Sequence, residues 1–152
     1  MSDNSERVEF GSDAWFALAD QVVKDIIAEN PQELGSERLS ICYVFTSPPA
    51  HLLHEGQSTI PMYMSIDHGS ATVQQVERTD VDILMYVDYA HSLENGRGIQ
   101  KRVPEEMEFR KARQEAAIES GLMTVKGGQQ GLSSALLEAL TELHNRLAVR
   151  TL

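Results

Sequence analysis

The stretch Leu39-Ser-Ile-Cys-Tyr-Val-Phe-Thr46 decides the fold, because large apolar residues fill every second position in it. A period of two places alternate side chains on opposite faces of a β-strand. One face of this strand therefore faces a core, and it carries Leu39, Ile41, Tyr43 and Phe45. Ser47-Pro48-Pro49 ends the pattern, since proline cannot donate a hydrogen bond to a sheet.

Further strands are predicted on the C-terminal side of this one. Three follow at short intervals, over Ile60–Ile66, Ala71–Val76 and Val81–Val87. Between the first two, Asp67-His68-Gly69-Ser70 is typical of a hairpin, because glycine readily adopts the positive φ of a tight turn. Short turns between these strands predict an antiparallel meander. A short fifth strand is expected over Leu122–Val125.

Helical patterns enclose the strands in the sequence. Ser12 can cap a helix with a wide apolar stripe, which Asn30-Pro31 ends. A leucine stripe predicts a last helix from about Gly131. Between them lie a short helix over Tyr89–Asn95 and a polar one over Pro104–Ser120, the latter with proline at its favoured first position. The order predicts one α+β domain.

The polar helix has only a thin apolar stripe, formed by Phe109, Ala112 and Ala116. Two interpretations are open for it: a solvated surface helix, which the charge pattern favours, or a helix that docks a protein.

Composition limits the function. The 152 residues carry 13 Lys and Arg against 23 Asp and Glu, a net charge of −10. Such a surface repels phosphate groups, which argues against nucleic acid and against docking on acidic membranes. No apolar run approaches the ~20 residues that span a bilayer. A polar start and a single cysteine, Cys42, lead us to expect a cytoplasmic protein. We expect a flexible stretch over residues 1–11 and a single domain over 12–152.

Side chains that could carry chemistry do not form a recognisable motif. His51 and His54 are three residues apart, but in an expected loop without a clear third ligand, so we predict no metal site. Cys42 lies within a strand, where a buried thiol is inert. His91 lies near Asp88 on a short helix and is expected to be a polar surface residue. Neither a nucleophile elbow nor a phosphate-binding loop occurs, and we predict no catalytic residue and no cofactor.

Three features in order resemble the sterol carrier protein family. The first is the amphipathic helix that leads into antiparallel strands. The second is Thr79-Asp-Val-Asp-Ile-Leu-Met-Tyr-Val-Asp-Tyr89, which is similar to the family's aspartate-rich turn, central strand and capped short helix. The third is Gly121-Leu-Met-Thr-Val-Lys-Gly127 before the leucine-rich helix. The chain departs from the family in a longer loop over 47–59 and a longer, charged segment over 95–121. It is identified as a divergent, bacterial-type member.

The resemblance implies a five-stranded, mainly antiparallel sheet that helices cover largely on one face. It also implies an apolar cavity between sheet and helices that binds or carries a hydrophobic small molecule: a lipid, a fatty acyl chain or a sterol-like compound. The expected lining is Tyr43, Phe45, Met62, Met64, Ile83, Met85, Leu136, Leu140 and Leu143. The methionines could equally be plain core. Two alternatives stay open: a small enzyme, or a subunit of one, that acts on a hydrophobic substrate in this cavity. The sequence also leaves a protein partner or a homo-oligomer open.

Overall fold

A computed structural model describes residues 6–127 and 131–152. Five α-helices, five β-strands and one 3-10 turn occur in these two ranges. In chain order they are α1 (Asp13–Glu29), α2 (Pro31–Leu34), β1 (Arg38–Thr46), the 3-10 turn Ala50–Leu52, β2 (Ile60–Asp67), β3 (Ser70–Gln74), β4 (Ile83–Asp88), α3 (Tyr89–Gly96), α4 (Pro104–Glu119), β5 (Met123–Gly127) and α5 (Ser134–Ala148). The predicted elements are present, and α2 and the 3-10 turn are additional.

The strands form one open, mixed sheet in the order β3-β2-β1-β4-β5. β1 is the central strand. It pairs antiparallel with β2 and parallel with β4, and the remaining pairs are antiparallel. The predicted α+β fold with a five-stranded, mainly antiparallel sheet is therefore confirmed. The predicted meander is wrong beyond β3, because β4 does not lie beside β3 but inserts on the other side of β1.

The chain between β3 and β4 crosses the sheet instead of turning back beside it. It passes over the face opposite the helices, where Cys42, Val44 and Leu84 form a small second core. The backbone N–H of Arg78 lies 3.5 Å from the Cys42 Sγ, and the Arg78 guanidinium stacks on the Tyr63 ring at 5.0 Å. The segment between β3 and β4, which the sequence predicts to be a short turn, thus packs over this face of the sheet.

The start of β4 is fixed by hydrogen bonds to β1. Asp82 accepts a hydrogen bond at 2.9 Å from the Ser40 backbone N–H, and its own N–H donates to the Ser40 hydroxyl, also at 2.9 Å. Ladder pairing therefore begins at Ile83, not at Val81 as predicted. Val81 packs against the second core, on the face opposite the one that strand alternation predicts for it.

Two glycines occupy positions that a side chain would disturb. The hairpin between β2 and β3 turns on His68 and Gly69, which have φ angles of 47° and 89°. Positive φ at both central residues is the geometry of the predicted two-residue hairpin. At the end of β5, Gly127 has a φ of 81°, and a Cβ there would overlap the carbonyl oxygen of Asp82.

The helical layer lies on the face of the sheet that carries Leu39, Ile41 and Phe45. Ser12 caps α1 through its side chain, as predicted, and α1 buries seven residues and runs over β3. The Asp20 carboxylate accepts a hydrogen bond from the Val73 backbone N–H at 2.8 Å. α5 lies against α1, and Arg146 of α5 forms an ion pair with Glu29 at 2.6 Å. These contacts join the first and last helices in the layer that covers the sheet.

The two ends of the described chain meet beside α1. Val8 forms a parallel bridge with Thr151, and the Trp15 indole N–H donates to the Thr151 hydroxyl at 3.3 Å. Phe10 is buried among Trp15, Phe45 and Tyr89. Residues 1–5 of the expected flexible stretch lie outside the described residues, and the boundary at residue 12 stays a prediction. Among the described residues, none of the helices is long and apolar enough to pass through a membrane.

α4 is mostly exposed, and Ala117 is its only buried residue. Of the thin apolar stripe, Phe109 is 62% exposed. Arg113 forms an ion pair with Glu94 of α3 at 3.1 Å, and the C-terminal end of the helix leads into β5. The surface-helix interpretation describes this arrangement, and docking of a protein stays the alternative.

Candidate ligand-binding face

One row of side chains crosses the sheet on its helical face. The pairing register aligns Met62 of β2, Tyr43 of β1, Met85 of β4 and Val125 of β5. Met62 is buried, whereas the other three are half-buried. Burial of the side chains in this row therefore decreases from β2 towards β5, and the three side chains on β1, β4 and β5 are partly accessible to solvent.

Different helices contact the two sides of the sheet. α1 lies over β3, and α5 contacts α1, α2 and α3. α3 contacts β4 and α4 contacts β5, yet Met85, Met123 and Val125 of these two strands stay half-buried. Half-buried apolar side chains of α3, of β5 and in or just before α5 pack against the same core: Leu93, Met123, Leu132 and Leu140. Together with the three half-buried residues of the row they define the candidate ligand-binding face.

The nine residues expected to line a cavity divide into two groups. Three are half-buried and belong to the candidate face: Tyr43, Met85 and Leu140. The other six are packed in the core, at 1–9% exposed: Phe45, Met62, Met64, Ile83, Leu136 and Leu143. The structure thus brings all nine into one cluster, with the first three at its accessible side. A role of any of them in binding stays a prediction.

Sequence reasoning missed Met123, Val125, Leu93 and Leu132. Val125 and Met123 belong to the predicted fifth strand, so their strand position was available. Their place beside Met85 depends on the pairing of β5 with β4, which is a non-local contact. Alternation along β5 is a usable signal, because it places both side chains on one face.

Tyr43 supplies the only polar atom among the three half-buried residues of the row. Its ring stacks on that of Phe45 at a centroid distance of 5.9 Å and an interplanar angle of 5°. Desolvation by burial raises the pKa of the phenol, which therefore stays protonated at neutral pH. No hydrogen-bond partner is found for its hydroxyl among the described residues, and every fully buried side-chain oxygen there has one. The protonated hydroxyl is thus able to donate a hydrogen bond.

Two concave pockets lie elsewhere on the described surface. One, of about 400 Å³, lies between the end of α1 and the β2–β3 hairpin, with Ile27, Pro31 and Ala71 in its wall. The other, of about 500 Å³, is a polar hollow on the opposite face of the sheet, beside Arg38, Asp67 and Asp80. Neither contains the half-buried row, and the polar one does not suit an apolar ligand.

The two loop histidines are bonded to carboxylates at the start of α1 and just before it. His51 Nε2 lies 2.7 Å from a Glu9 carboxylate oxygen, and His54 Nε2 lies 2.9 Å from Asp13. Hydrogen bonds from Gln75 and His54 hold the pKa of Asp13 below its ordinary value. In residues 6–127 and 131–152, no three side chains of the metal-binding types are grouped to hold an ion. These histidines fix the long loop to α1.

The remaining titratable side chains of interest are Cys42, His91 and His144. Desolvation raises the pKa of the fully buried Cys42 thiol, which disfavours the reactive thiolate. His91 lies 3.3 Å from the amide of Asn95 in the same helix. His144 of α5 is hydrogen-bonded to the Gly98 carbonyl oxygen at 2.7 Å, and desolvation lowers its pKa.

Comparisons with known proteins agree with this architecture. No protein-family model matches the sequence, and no curated protein is significantly similar to it. Solved structures do match. One is a conserved hypothetical protein from Thermus thermophilus that is suggested to be a sterol carrier protein, with a TM-score of 0.55, 16% identity, and 99% of this chain and 96% of that chain covered. Another is sterol carrier protein 2, with a TM-score of 0.51, 17% identity, and 95% and 100% covered. The resemblance predicted from the sequence is confirmed for the fold: this chain has the fold of sterol carrier protein 2.

Proposed function

We propose that this protein binds and carries a hydrophobic small molecule on the candidate ligand-binding face. The observation that supports this most is the row Tyr43, Met85 and Val125, which stays half-buried while its neighbour Met62 is buried. Apolar side chains that a fold leaves partly uncovered gain free energy when a ligand covers them. The fold shared with sterol carrier protein 2 supports the same class of ligand.

The chemistry of the face favours a long-chain or polycyclic ligand with one polar group. Met85, Leu140 and Val125 offer aliphatic surface, on which each buried methylene contributes about 0.8 kcal/mol. The Tyr43 hydroxyl offers a single donor for a carboxyl, ester or hydroxyl oxygen. A small polar metabolite would leave its other polar groups unpaired, at a cost of about 1–3 kcal/mol each.

No contact among residues 6–127 and 131–152 favours the enzymatic alternative. It requires an acid–base group beside the ligand, and histidine is the usual one. None of the five histidines belongs to the candidate ligand-binding face: His51, His54 and His68 are bonded to carboxylates, His91 to the Asn95 amide and His144 to the Gly98 carbonyl. We therefore propose carriage without catalysis.

The test is binding of a fluorescent fatty acid or sterol analogue to the purified protein and to Met85→Glu. We expect micromolar binding by the wild type and at least about tenfold weaker binding by the variant, because the ligand would desolvate a carboxylate. Met107→Glu is the matched control, since Met107 lies on α4 and is 41% exposed. Equal binding by Met85→Glu and wild type would refute this site. Tight binding of a small polar metabolite without any binding of apolar ligands would refute the function.

The hydroxyl of Tyr43 gives a second, smaller prediction. Tyr43→Phe removes only the donor and should weaken an oxygen-bearing ligand by about 0.5–1.5 kcal/mol, while leaving an alkane-like probe unaffected. Tyr63→Phe is the control, because the register places Tyr63 beside Cys42 on the opposite face of the sheet. If both variants lose the same affinity, the phenol of Tyr43 does not contact the ligand.

A further inference from the structure

Most of the chain between α3 and β5 contributes little to the core. It consists of the loop after α3 and helix α4, residues 97–119, and we call it the α4 segment. Ala117, in the last turn of the helix, is its only buried residue. Its large apolar side chains are 41–62% exposed: Ile99, Val103, Met107, Phe109 and Ile118. Segments with so few buried apolar contacts open at a lower free energy than the core does.

The loop of this segment is bound to α5 by three hydrogen bonds, which we call the latch. The Gln100 N–H donates to the Asn145 side-chain oxygen at 2.7 Å, and the Asn145 amide donates to the Gln100 carbonyl oxygen at 2.9 Å. The Gly98 carbonyl oxygen is hydrogen-bonded to His144 Nε2 at 2.7 Å. Two residues of α5 therefore hold the loop, and Asn145 provides two of the three bonds.

Two further contacts of the α4 segment with its neighbours are polar as well. Arg113 forms an ion pair with Glu94 of α3 at 3.1 Å, and the Arg97 side chain donates to the Leu152 carbonyl oxygen at 2.6 Å. Water replaces hydrogen bonds and exposed ion pairs when a segment moves away, so their net contribution is small. Apolar contacts of a core have no such replacement. The α4 segment can therefore separate from α3 and α5 at a lower cost than a core helix.

The loop and helix of the α4 segment are joined to each other. The Glu106 carboxylate of α4 accepts hydrogen bonds from the Lys101 backbone N–H and from Arg110. Arg110 also donates to the Lys101 carbonyl oxygen at 3.2 Å. Beyond the C-terminal end of the segment, Gly121 has a φ of 84°, and a Cβ there would meet no atom within 4 Å. The backbone can change direction at this glycine, so the segment can move as one unit about it.

The α4 segment contacts three elements that supply side chains to the candidate ligand-binding face. Leu93 of α3 directly precedes Glu94, which forms the ion pair with the segment. Leu140 of α5 lies one turn before His144, on the same side of that helix. β5, which carries Val125, is in contact with α4. A movement of the segment away from these elements would therefore expose the face further.

A ligand on the candidate ligand-binding face requires such a movement. The row Tyr43, Met85 and Val125 is half-buried, and neither of the two concave pockets contains it. We therefore expect a long-chain or polycyclic ligand to cover this row only after a neighbouring element has moved. The α4 segment is the element that moves at the lowest cost, because α1 and α5 bury seven and five residues.

We propose that the α4 segment is the lid of the candidate ligand-binding face and that it opens when the latch breaks. This role rests on the proposed function, because it assumes a ligand that enters at this face. The opening itself does not, since it is a movement of the chain without ligand. A failure of the lid and a failure of the function can therefore be told apart.

Labelling of an introduced cysteine measures the opening without ligand. Val125→Cys places a thiol on the half-buried row, and a bulky fluorescent maleimide should label it slowly while the latch is formed. Asn145→Ala removes two of the three latch hydrogen bonds and should accelerate this labelling about fivefold or more. His144→Ala removes the third and should accelerate it less. The wild type gives the background, because Cys42 is buried.

Two controls distinguish opening of the lid from general loosening, and circular dichroism shows that each variant is folded. Lys126→Cys places the thiol beside Leu84, on the opposite face of the sheet, where Asn145→Ala should leave the labelling rate unchanged. Arg146→Gln breaks an ion pair of α5 outside the latch and should not accelerate labelling of Val125→Cys. Equal labelling of Val125→Cys with and without Asn145→Ala would overturn the lid, and so would equal acceleration at both cysteines.

Stopped-flow binding of a fluorescent fatty acid tests whether the ligand passes the lid. Asn145→Ala should raise the association and dissociation rate constants together, about fivefold each, because the ligand enters and leaves through the same opening. Unchanged rate constants in a variant that is labelled faster would overturn the role as a lid. No binding by the wild type would refute the proposed function and this role with it, whereas the labelling result would still decide whether the segment opens.

Discussion

α1 and α4 are of nearly equal length, 17 and 16 residues, yet they occupy opposite environments. α1 buries seven residues in the core, and α4 buries one, Ala117. α1 is fixed through Asp20 to β3, whereas α4 is held by an ion pair to α3 and by its connection to β5. Length and helix-forming composition thus say little about what a helix contributes to a fold.

The difference originates in the width of the apolar stripe. In α1 the positions Phe16, Ala19, Val23 and Ile26 recur at intervals of three or four, so they form one continuous face. In α4 Met107 and Ile118 lie on one side of the helix, three turns apart, Phe109 lies on the opposite side, and all three remain exposed. A helix with a continuous face is part of the core, and one without it is free to carry a surface function.

The largest expected difference between the helices concerns one isoleucine in the last turn of each helix. Ile26→Asn places an amide in a site that is 2% exposed and should cost about 3–5 kcal/mol of unfolding free energy. Ile118→Asn, at 44% exposed, should change it by no more than about 0.5 kcal/mol. Urea denaturation followed by circular dichroism measures both. Comparable losses would show that α4 is integral to the core.

A smaller effect is expected where polar side chains fix each helix. Desolvation opposes ionisation of Asp20, but hydrogen bonds from Lys24 and the Val73 N–H outweigh it and hold its pKa below the ordinary value. Asp20→Asn should cost about 1 kcal/mol at pH 7. Arg113→Gln in α4 should cost no more than about 0.5 kcal/mol, since its ion pair is on the surface.

The Asp20 effect has a predicted pH dependence. Because the pKa is lower in the folded state, its stabilising contribution is complete above the ordinary pKa of 3.8 and is lost as pH falls through the folded value. Urea midpoints of wild type and Asp20→Asn should therefore converge below pH 3.8. A difference that persists unchanged in acid would mean that the carboxylate charge is not what fixes α1.

The smallest expected effect is at Phe109. Its ring is 62% exposed, so Phe109→Ser removes little buried surface and should shift the unfolding free energy by less than about 0.5 kcal/mol. Thermal denaturation checks this. A loss above about 1 kcal/mol would mean that the ring is buried in solution by a contact that the isolated chain lacks, such as a second copy.

Most of the elements could be predicted from the sequence because their signals are local. The cap at Ser12, the alternation through Leu39–Phe45 and the His68-Gly69 turn each act within a few residues, and each is confirmed. The place of β4 could not be predicted this way. It depends on the hydrogen bonds between Asp82 and Ser40, which are 42 residues apart in sequence, and on packing of the segment between β3 and β4 against Cys42. Neither contact leaves a local pattern in the sequence.

The candidate face was only partly accessible to the same reasoning. Alternation showed which side of the sheet Tyr43 and Met85 face, because that follows from strand period alone. It could not show which apolar residues the helices leave uncovered, since that depends on where α1 and α5 lie. Phe45 and Met85 therefore looked alike in the sequence, and the structure separates them into 4% exposed and half-buried.

The closure of the chain ends beside α1 makes Trp15 a spectroscopic reporter. It is the only tryptophan, it is 5% exposed, and its indole is bonded to Thr151 and packed edge-on against Phe10 at 4.8 Å. Its emission should be blue-shifted while the ends are joined and should move to the red when they separate. Tryptophan fluorescence of the unlabelled protein would thus report when the two chain ends separate during unfolding. Circular dichroism of the backbone would report separately when the sheet unfolds.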